Sequence, residues 1–354
     1  MTFPADQFFL TNARARSPYT ATLKGLASGR FTKVEGPGWL SVAADGTVTG
    51  TPPASASART TTVTVRAGDA TATVKVRVRP PGGALVPEPR VMSWNLWLGG
   101  TQVRDARRKQ LKVLLEADVD VVGLQETAGS AARELAEALG WHHVQGGTAG
   151  IISRHPIVAA SESERWVHAR VRFDNTHELS VWNAHLGYTP YGPYEARFGR
   201  LPHEEIMARE AESGRTGQMT ELLAAMGDDP APLVLTGDFN APSHLDWPDV
   251  DWPTSVLAER AGLLDSFRVA HPDPAGAPGI TWSPISPVFT GGYGYDEHAG
   301  APEPQDRIDY VLFRGDLRVR SSEVVVTGEP RPIPGHEDND WPSDHAAVLT
   351  TFSA

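Results

Sequence analysis

The pattern of apolar and polar residues changes near residue 80. Before this point, branched apolar and polar residues alternate in short runs such as 61–68 and 71–80, which is typical of half-buried strands. Asp-Gly and Gly-Asp pairs lie between such runs and favour tight turns. Short strands closely spaced by turns predict a small all-β sandwich over residues 1–80.

A second pattern follows a short segment rich in Pro and Gly. Residues 81–89 predict a linker, because Pro and Gly sustain neither a helix nor a central strand. Residues 90–354 then mix apolar strands with helices, which predicts one large α/β domain with a mixed sheet. The predicted helices cover 104–117, 130–140 and 216–226. The predicted strands cover 90–99, 119–127, 147–158, 165–173, 179–187, 307–315, 317–326 and 346–352, with another strand beginning at Leu233.

Composition narrows the class of protein without identifying a reaction. Of the 354 residues, 40 % are hydrophobic and 21 % charged, and no run approaches the length of a membrane span, so we expect an ordinary globular protein. The net charge of -11 does not favour nonspecific binding to a phosphate backbone, unless a local basic groove or metal ions supply positive charge. The lack of Cys excludes disulfides, thiolate zinc sites and cysteine nucleophiles.

Polar side chains recur at the ends of the predicted strands, where they would be costly to bury unpaired. They are Asn95, Glu126, His185, Asp238, Asn240, Asp306, Asp309, Asp344 and His345. Because strand ends from several parts of a sheet can converge, we expect these residues to form one pocket. Alternate residues of a strand face the same side, so Asp238 and Asn240 are expected side by side at a sheet edge.

The chemistry of this set favours a hard divalent cation. Carboxylates and amides with few nitrogen ligands suit Mg²⁺, Mn²⁺ or Ca²⁺ better than zinc, and one or two carboxylates are enough to hold Mg²⁺. Histidines beside such a cation can bind phosphate oxygens or transfer protons. These residue types are suited to the attack of water on a phosphate ester.

Six motifs in a fixed order carry a family resemblance: "SWNLW", "LQET", "WNAHL", "TGDFNAP", "DRIDYVL" and "SDHAAV". Together they resemble the endonuclease/exonuclease/phosphatase, or deoxyribonuclease I-like, superfamily over roughly 90–352. The resemblance implies a two-sheet α/β sandwich with its site where loops gather at one edge of both sheets. It also implies a metal-dependent phosphoric ester hydrolase, with Mg²⁺ as the first choice of ion.

The same resemblance implies a role for each matching residue. Glu126, Asn95 and Asp344 are expected at the metal. The expected catalytic residues are His185 and His345 at the phosphate, Asp238 and Asn240 at the attacking water, and an aspartate that fixes the ring of His345. Members of the family differ in that aspartate, and this sequence has both candidates, Asp306 and Asp309, so the choice stays open.

Aromatic loops next to the predicted catalytic strand ends bear on the substrate. Loops 187–199, 243–252 and 282–298 are expected to surround its headgroup. The named candidates are Tyr188, Tyr191, Tyr194, His244 and Trp247. Ala128 stands where deoxyribonuclease I carries an Arg, and Pro304 and Gln305 stand where a 5-phosphatase carries Trp-Cys. We therefore predict a small or lipid-linked phosphate ester as substrate, with a secreted nuclease acting on DNA or RNA as the alternative and an inert cell-surface binding protein as the third possibility.

A second resemblance concerns the N-terminal region. The stretch "DGTVTGTP" (45–52) resembles the immunoglobulin-like modules of bacterial surface and secreted proteins. It implies a secreted or cell-surface monomer whose N-terminal module binds a surface or a polymeric target. The first ten residues lack the basic start and apolar block of a signal peptide.

Overall fold

The structure is a computed structural model that describes residues 2–353. Its N-terminal region consists of β1 (Gln7–Phe9), β2 (Ala13–Arg14), β3 (Tyr19–Thr22), β4 (Phe31–Glu35), β5 (Leu40–Val42), β6 (Thr47–Gly50), β7 (Arg59–Ala67) and β8 (Ala70–Arg79). One sheet has the order β1-β8-β7-β4, with β2 also paired to β8, and the other has the order β3-β6-β5. Ala67 pairs with Ala70, so Gly68 and Asp69 form the predicted two-residue turn. The N-terminal region is therefore all-β.

The remaining chain mixes strands and helices. The strands are β9 (Arg90–Asn95), β10 (Val121–Gln125), β11 (His142–Gln145), β12 (Ala149–Ser153), β13 (Ile157–Glu162), β14 (Trp166–Arg172), β15 (Glu178–His185), β16 (Leu233–Asp238), β17 (Leu264–Asp265), β18 (Asp309–Arg314), β19 (Arg318–Val325) and β20 (Ala347–Ser353). The helices are α1 (Ala106–Glu116), α2 (Ala131–Leu139), α3 (Gly192–Arg197), α4 (His203–Glu212), α5 (Arg215–Met226), α6 (Pro253–Arg260) and α7 (Ser266–Ala270). Short 3-10 helices cover Ala54–Ala56, Leu98–Gly100, Asp296–His298 and Gly335–Asp338.

Two six-stranded sheets form the core of this second region. Their orders are β11-β12-β10-β9-β20-β19 and β13-β14-β15-β16-β18-β17. Valines of both sheets, including Val91, Val121, Val181 and Val234, form one buried cluster between them. Both faces of these central strands are buried, which explains why apolar residues occupy consecutive positions along them. The predicted two-sheet α/β sandwich is confirmed.

The prediction of a single strand over 147–158 is wrong, because this range contains two strands. The structure divides it into β12 in the first sheet and β13 in the second. Residues 154–156 connect the two strands, and Pro156 has no N–H with which to continue a ladder. The apolar pattern is the same on both sides of this connection, so it does not reveal that the chain changes sheets.

A buried polar layer also joins the two sheets. Asn183 on β15 accepts hydrogen bonds from Gln125 Nε2 (2.6 Å) and Thr236 Oγ1 (3.0 Å), and Ser93 Oγ accepts one from Gly237 N (3.0 Å). These groups meet because Gly123 of β10 lacks a Cβ; one placed there would lie 1.9 Å from Thr236 Oγ1. The sheets are therefore held in a fixed register close to the strand ends that carry the polar motifs.

The N-terminal sheets share their core with the α/β region. Leu23, Leu26 and Phe8 belong to the same buried cluster as Leu111 of α1 and Leu135 of α2. The two regions thus bury apolar surface against each other. Within residues 2–353, no helix combines the length and the apolarity needed to cross a bilayer.

Candidate active site

Strand pairing brings the predicted polar residues to one edge of the sandwich. The parallel pairs β9–β10 and β15–β16 end together, with Asn95 opposite Gln125 and His185 opposite Asp238. β18 runs antiparallel to β16 and begins opposite its end, so Asp309 pairs with Asp238. The loop before β20 is tied to the same edge, since Ser343 Oγ donates to the carbonyl oxygen of Asn95 (2.6 Å) and accepts from His345 N (3.1 Å).

The side-chain amide of Asn95 lies between the carboxylates of Glu126 and Asp238. Its Nδ2 donates to Asp238 Oδ2 (2.9 Å) and lies 3.4 Å from Glu126 Oε1. Its Oδ1 accepts from Trp97 N (2.9 Å), which fixes the orientation of the amide. Glu126 and Asp238 therefore lie on either side of one amide nitrogen, although 112 positions separate them in the chain.

Two histidines face the same oxygen of Asp238. His185 Nε2 lies 3.9 Å and His345 Nε2 3.8 Å from Asp238 Oδ2. The other nitrogen of His345 pairs with Asp309 Oδ2 at 2.9 Å, which leaves Nε2 directed toward Asp238. The choice that the sequence left open thus has a geometric answer: Asp309 is the aspartate beside His345.

Burial and charge oppose each other at this pair. Burial alone would lower the pKa of His345, but Asp309 and Asp238 outweigh it and raise that pKa well above its usual value. Burial also raises the pKa of Asp309, with Asp238 adding repulsion and the His345 charge opposing both. Both carboxylates therefore favour the imidazolium form of His345, in which both ring nitrogens are N–H donors.

Backbone strain surrounds this edge of the sheets. Trp97, Leu98, Glu126 and Asn240 all have positive φ, between 50° and 53°, which is uncommon for residues with a side chain. At Glu126 the turn lets the carboxylate accept a hydrogen bond from Leu98 N (2.8 Å).

The expectation that strand alternation places Asn240 beside Asp238 is wrong. β16 ends at Asp238, and the chain turns through the positive φ of Asn240. The backbone N–H of Asn240 donates to Asp238 Oδ1 (2.8 Å), while its side chain donates to the carbonyl oxygen of Leu186 (3.1 Å). A turn therefore positions Asn240 and orients the carboxylate of Asp238.

The residues of this edge fit a divalent cation. Asp344 Oδ1 is buried and lacks a hydrogen-bond partner, and burial together with Glu126 and Asp238 raises the pKa of Asp344 to about 7. A cation would satisfy that orphaned oxygen and relieve the repulsion between carboxylates. Asp238, Asp309 and His345 also offer ligand atoms within 4.8 Å of one another. Because Asp309 already pairs with His345, we favour the side of Glu126 and Asp344 for the cation, with Asn95 beside Glu126.

A cavity of about 280 Å³ opens beside these groups. Its lining residues are Trp97, Leu98, Glu126, Tyr188, Tyr191, Tyr194, Asn240, Trp282, Tyr293, Ile308, Asp344 and His345. Three of the five predicted substrate residues are among them, namely Tyr188, Tyr191 and Tyr194.

Three predicted site residues, His244, Trp247 and Asp306, neither line the cavity nor join the cluster around Asp238. His244 bonds to Ser255 and Glu259 and lines a different cavity. Asp306 exchanges backbone hydrogen bonds with Trp282, and its buried carboxylate accepts bonds from Tyr191 and Trp247 instead of reaching His345. Trp247 packs against Trp252 and does not line the cavity. Local sequence could not show this, because Asp306 lies within a motif and His244 and Trp247 follow one, whereas the partners of their side chains lie elsewhere in the chain.

Sequence reasoning also missed several features of the cavity. Trp97 lies within "SWNLW" and Trp282 begins the aromatic loop 282–298, but neither is among the predicted substrate residues. The ring centroid of Trp282 is 5.0 Å from that of His345. Buried Glu303 accepts hydrogen bonds from Tyr194 Oη (2.6 Å) and Trp282 Nε1 (3.0 Å). No motif marks Glu303, so no local signal pointed to it.

The fold and the site together define a two-sheet α/β sandwich of the deoxyribonuclease I-like type, with a carboxylate and histidine site at the strand ends. The chain belongs to the Endonuclease/Exonuclease/phosphatase family, whose sequence profile matches residues 92–345. Membership supports phosphoester hydrolysis, and enzymes of this family typically use divalent metals.

Other proteins resemble this chain in sequence or in fold. The uncharacterized protein F14F9.5 of Caenorhabditis elegans is 32 % identical over 293 residues, covering 75 % of this chain and 91 % of that protein. A humanized D. rerio TDP2 carrying 14 mutations aligns with a TM-score of 0.53 at 18 % identity, over 76 % of this chain and all of that one. The human nocturnin catalytic domain, solved with a bound sulfate, has a TM-score of 0.50 at 16 % identity, over 77 % and 96 % of the two chains. The two solved structures show a shared fold only.

Proposed function

We propose that this protein is a divalent-metal-dependent phosphoester hydrolase that acts on a small or lipid-linked phosphate ester. The observation that carries the proposal is the arrangement around Asp238 Oδ2. Asn95 donates to this oxygen at 2.9 Å, and the Nε2 atoms of His185 and His345 face it at 3.9 and 3.8 Å. Glu126 lies on the other side of Asn95.

Each catalytic residue of the site then has a defined role. Asp238, oriented by the Asn240 backbone N–H, accepts the proton of the attacking water. His345, kept charged by Asp309, donates Nε2–H to a phosphate oxygen and stabilises the negative charge that develops there. His185 donates to another phosphate oxygen or protonates the leaving group.

The metal site of this proposal consists of Glu126 and Asp344, with Asn95 beside Glu126. A divalent ion bound there, Mg²⁺ first and Mn²⁺ or Ca²⁺ otherwise, would polarise the phosphoryl group. The oxygen-rich donor set supports a hard cation over zinc.

The test uses bis-p-nitrophenyl phosphate and p-nitrophenyl phosphate with each of the three ions. We expect p-nitrophenol release that depends on the metal and stops with EDTA, and the ratio of the two rates gives the diester preference. Asp238→Asn is the matched variant: it keeps the size of the side chain but removes the proposed base, so it should release less p-nitrophenol than the wild type. If no phosphate ester is turned over with any ion, the proposal is wrong and an inert binding protein is favoured.

A nuclease is the second candidate. It is favoured by the D. rerio TDP2 structure with a single strand DNA product, which shares this fold at a TM-score of 0.52. The described residues that line the cavity include no Lys or Arg, and this disfavours a substrate that carries several phosphates. Plasmid nicking compared with headgroup release from phospholipid vesicles separates the two candidates.

Three further features belong to the proposal as predictions. The chain is a secreted or cell-surface monomer, residues 1–80 are an immunoglobulin-like module joined by 81–89 to a catalytic domain at 90–354, and the module binds a surface or polymeric target. The all-β architecture of residues 7–79 supports the second of these.

A further inference from the structure

We propose that the aromatic part of the cavity is a subsite for a quaternary ammonium group on the phosphate ester. The inference rests on the proposed function, because the phosphate of the same substrate would lie at His345. The subsite is the aromatic wall, which we define as Trp97, Tyr188, Tyr191, Tyr194, Trp282 and Tyr293.

The aromatic wall extends from solvent into the protein. Tyr188 and Tyr293 are 60 % and 55 % exposed at its outer end, while Tyr191 and Tyr194 are buried. The ring centroid of Tyr194 lies 4.9 Å from that of Tyr191 and 5.3 Å from that of Tyr293, so these three rings are in contact. Trp282, beside the ring of His345, connects the wall to the phosphate end of the cavity.

The polar atoms of the buried rings are already paired behind the wall. Tyr191 Oη donates to Asp306, and Tyr194 Oη and Trp282 Nε1 both donate to Glu303. The rings therefore offer a bound group carbon surface, whereas a primary ammonium needs acceptors for three N–H donors. A quaternary ammonium has an apolar surface, a positive charge and no donor, which is the chemistry that aromatic surfaces bind through cation–π attraction.

Two carboxyl groups lie against the wall itself. Glu303 and Asp306 accept the hydrogen bonds of its buried rings, and no Lys or Arg is among the described lining residues. At the phosphate end, the charge of His345 and of the proposed metal ion offsets Glu126 and Asp344, so the attraction on a bound cation comes from Glu303 and Asp306. A neutral apolar group would gain only burial here, whereas a cation also gains Coulomb attraction. Hydrogen bonds to carboxylates further increase the negative charge on the ring faces.

The experiment compares two substrates of nearly equal shape. One is p-nitrophenyl phosphorylcholine, and the other is p-nitrophenyl 3,3-dimethylbutyl phosphate, in which carbon replaces the charged nitrogen. With full-length protein and Mg²⁺ or Mn²⁺, we expect kcat/KM to be roughly tenfold or more higher for the choline ester, the scale of a desolvated cation–π contact. Calorimetry adds a readout without turnover: choline should bind more tightly than 3,3-dimethyl-1-butanol.

Three variants connect this preference to the wall. Tyr293→Leu should lower the ratio of the two kcat/KM values several-fold, whereas Tyr293→Phe, which keeps the ring, should preserve it. Val158→Ala, on the edge strand β13, is the control and should change neither rate. Because Tyr293 is exposed, circular dichroism should show all three variants folded.

The outcomes separate this inference from the proposed function. Equal kcat/KM for the two esters, or equal binding of choline and its neutral analogue, overturns the ammonium subsite and leaves the hydrolase proposal standing. A choline preference that Tyr293→Leu does not reduce also overturns this assignment of the wall. Failure to hydrolyse these two esters, bis-p-nitrophenyl phosphate and p-nitrophenyl phosphate with any metal contradicts the proposed function itself.

Discussion

Replacing Asp309 by asparagine removes the negative charge beside His345 and keeps the size of the side chain. The substitution affects the buried hydrogen bond between His345 Nδ1 and Asp309 Oδ2, which are 2.9 Å apart. A hydrogen bond between charged groups contributes about 1.5–3 kcal/mol. If His345 must be charged in the transition state, we expect kcat/KM to fall by about ten- to a hundredfold, at one factor of ten per ~1.4 kcal/mol.

The pH dependence gives a sharper result than the rate. Asp309 and Asp238 together raise the pKa of His345, so the imidazolium persists as the pH rises above neutrality. Asp309→Asn removes one of these charges and lowers that pKa, and the alkaline limb of the kcat/KM profile should move to lower pH. The assay is kcat/KM for bis-p-nitrophenyl phosphate from about pH 5 to 9 at saturating metal.

Asp306→Asn is the matched comparison. Asp306 binds Tyr191 and Trp247 and does not contact His345, so its loss should leave the alkaline limb in place. The reasoning is refuted if Asp306→Asn moves that limb and Asp309→Asn does not, because the pairing of the histidine would then be wrong.

Four other predictions follow from the same geometry. Asp238→Ala and His345→Ala should each lower turnover by about a hundredfold or more in folded protein; near-wild-type rates would contradict their roles. Glu126→Gln should raise the metal concentration needed for half-maximal activity, and an unchanged titration would exclude it as a ligand. Gly123→Ala should destabilise the protein by about 1–3 kcal/mol in urea unfolding, because its Cβ would meet Thr236 Oγ1, and Thr236→Ala should recover part of that loss. Burial raises the folded-state pKa of Asp306 and of Asp344 from 3.8 to about 7, and a carboxyl group whose pKa is raised on folding contributes less stability as the pH rises. We therefore expect metal-free protein to be less stable at pH 7 than near pH 4, and added Mg²⁺ to reduce the loss at Asp344; a denaturation midpoint that rises over this range would contradict this.

The sequence alone determined the class of fold, and it named most of the polar residues that the structure brings together at the candidate site. Alternation before residue 80 and mixed strands and helices after residue 90 are local patterns, and local patterns record which face of an element is buried. The polar residues at strand ends were visible for a similar reason, since a carboxylate such as Glu126 or Asp238 next to a buried strand is costly without a partner.

Only the tertiary structure decided which of these residues meet. Asp306 and Asp309 are three positions apart and look equivalent in the sequence, yet a backbone pairing with Trp282 directs Asp306 behind the aromatic wall, and the start of β18 directs Asp309 to His345. His244 follows a motif but faces another cavity, and Glu303 has no motif but anchors two rings. The physical reason is that a one-dimensional pattern shows that a side chain is buried but not its partner, which depends on how distant strands pair and on turns such as the one at Asn240.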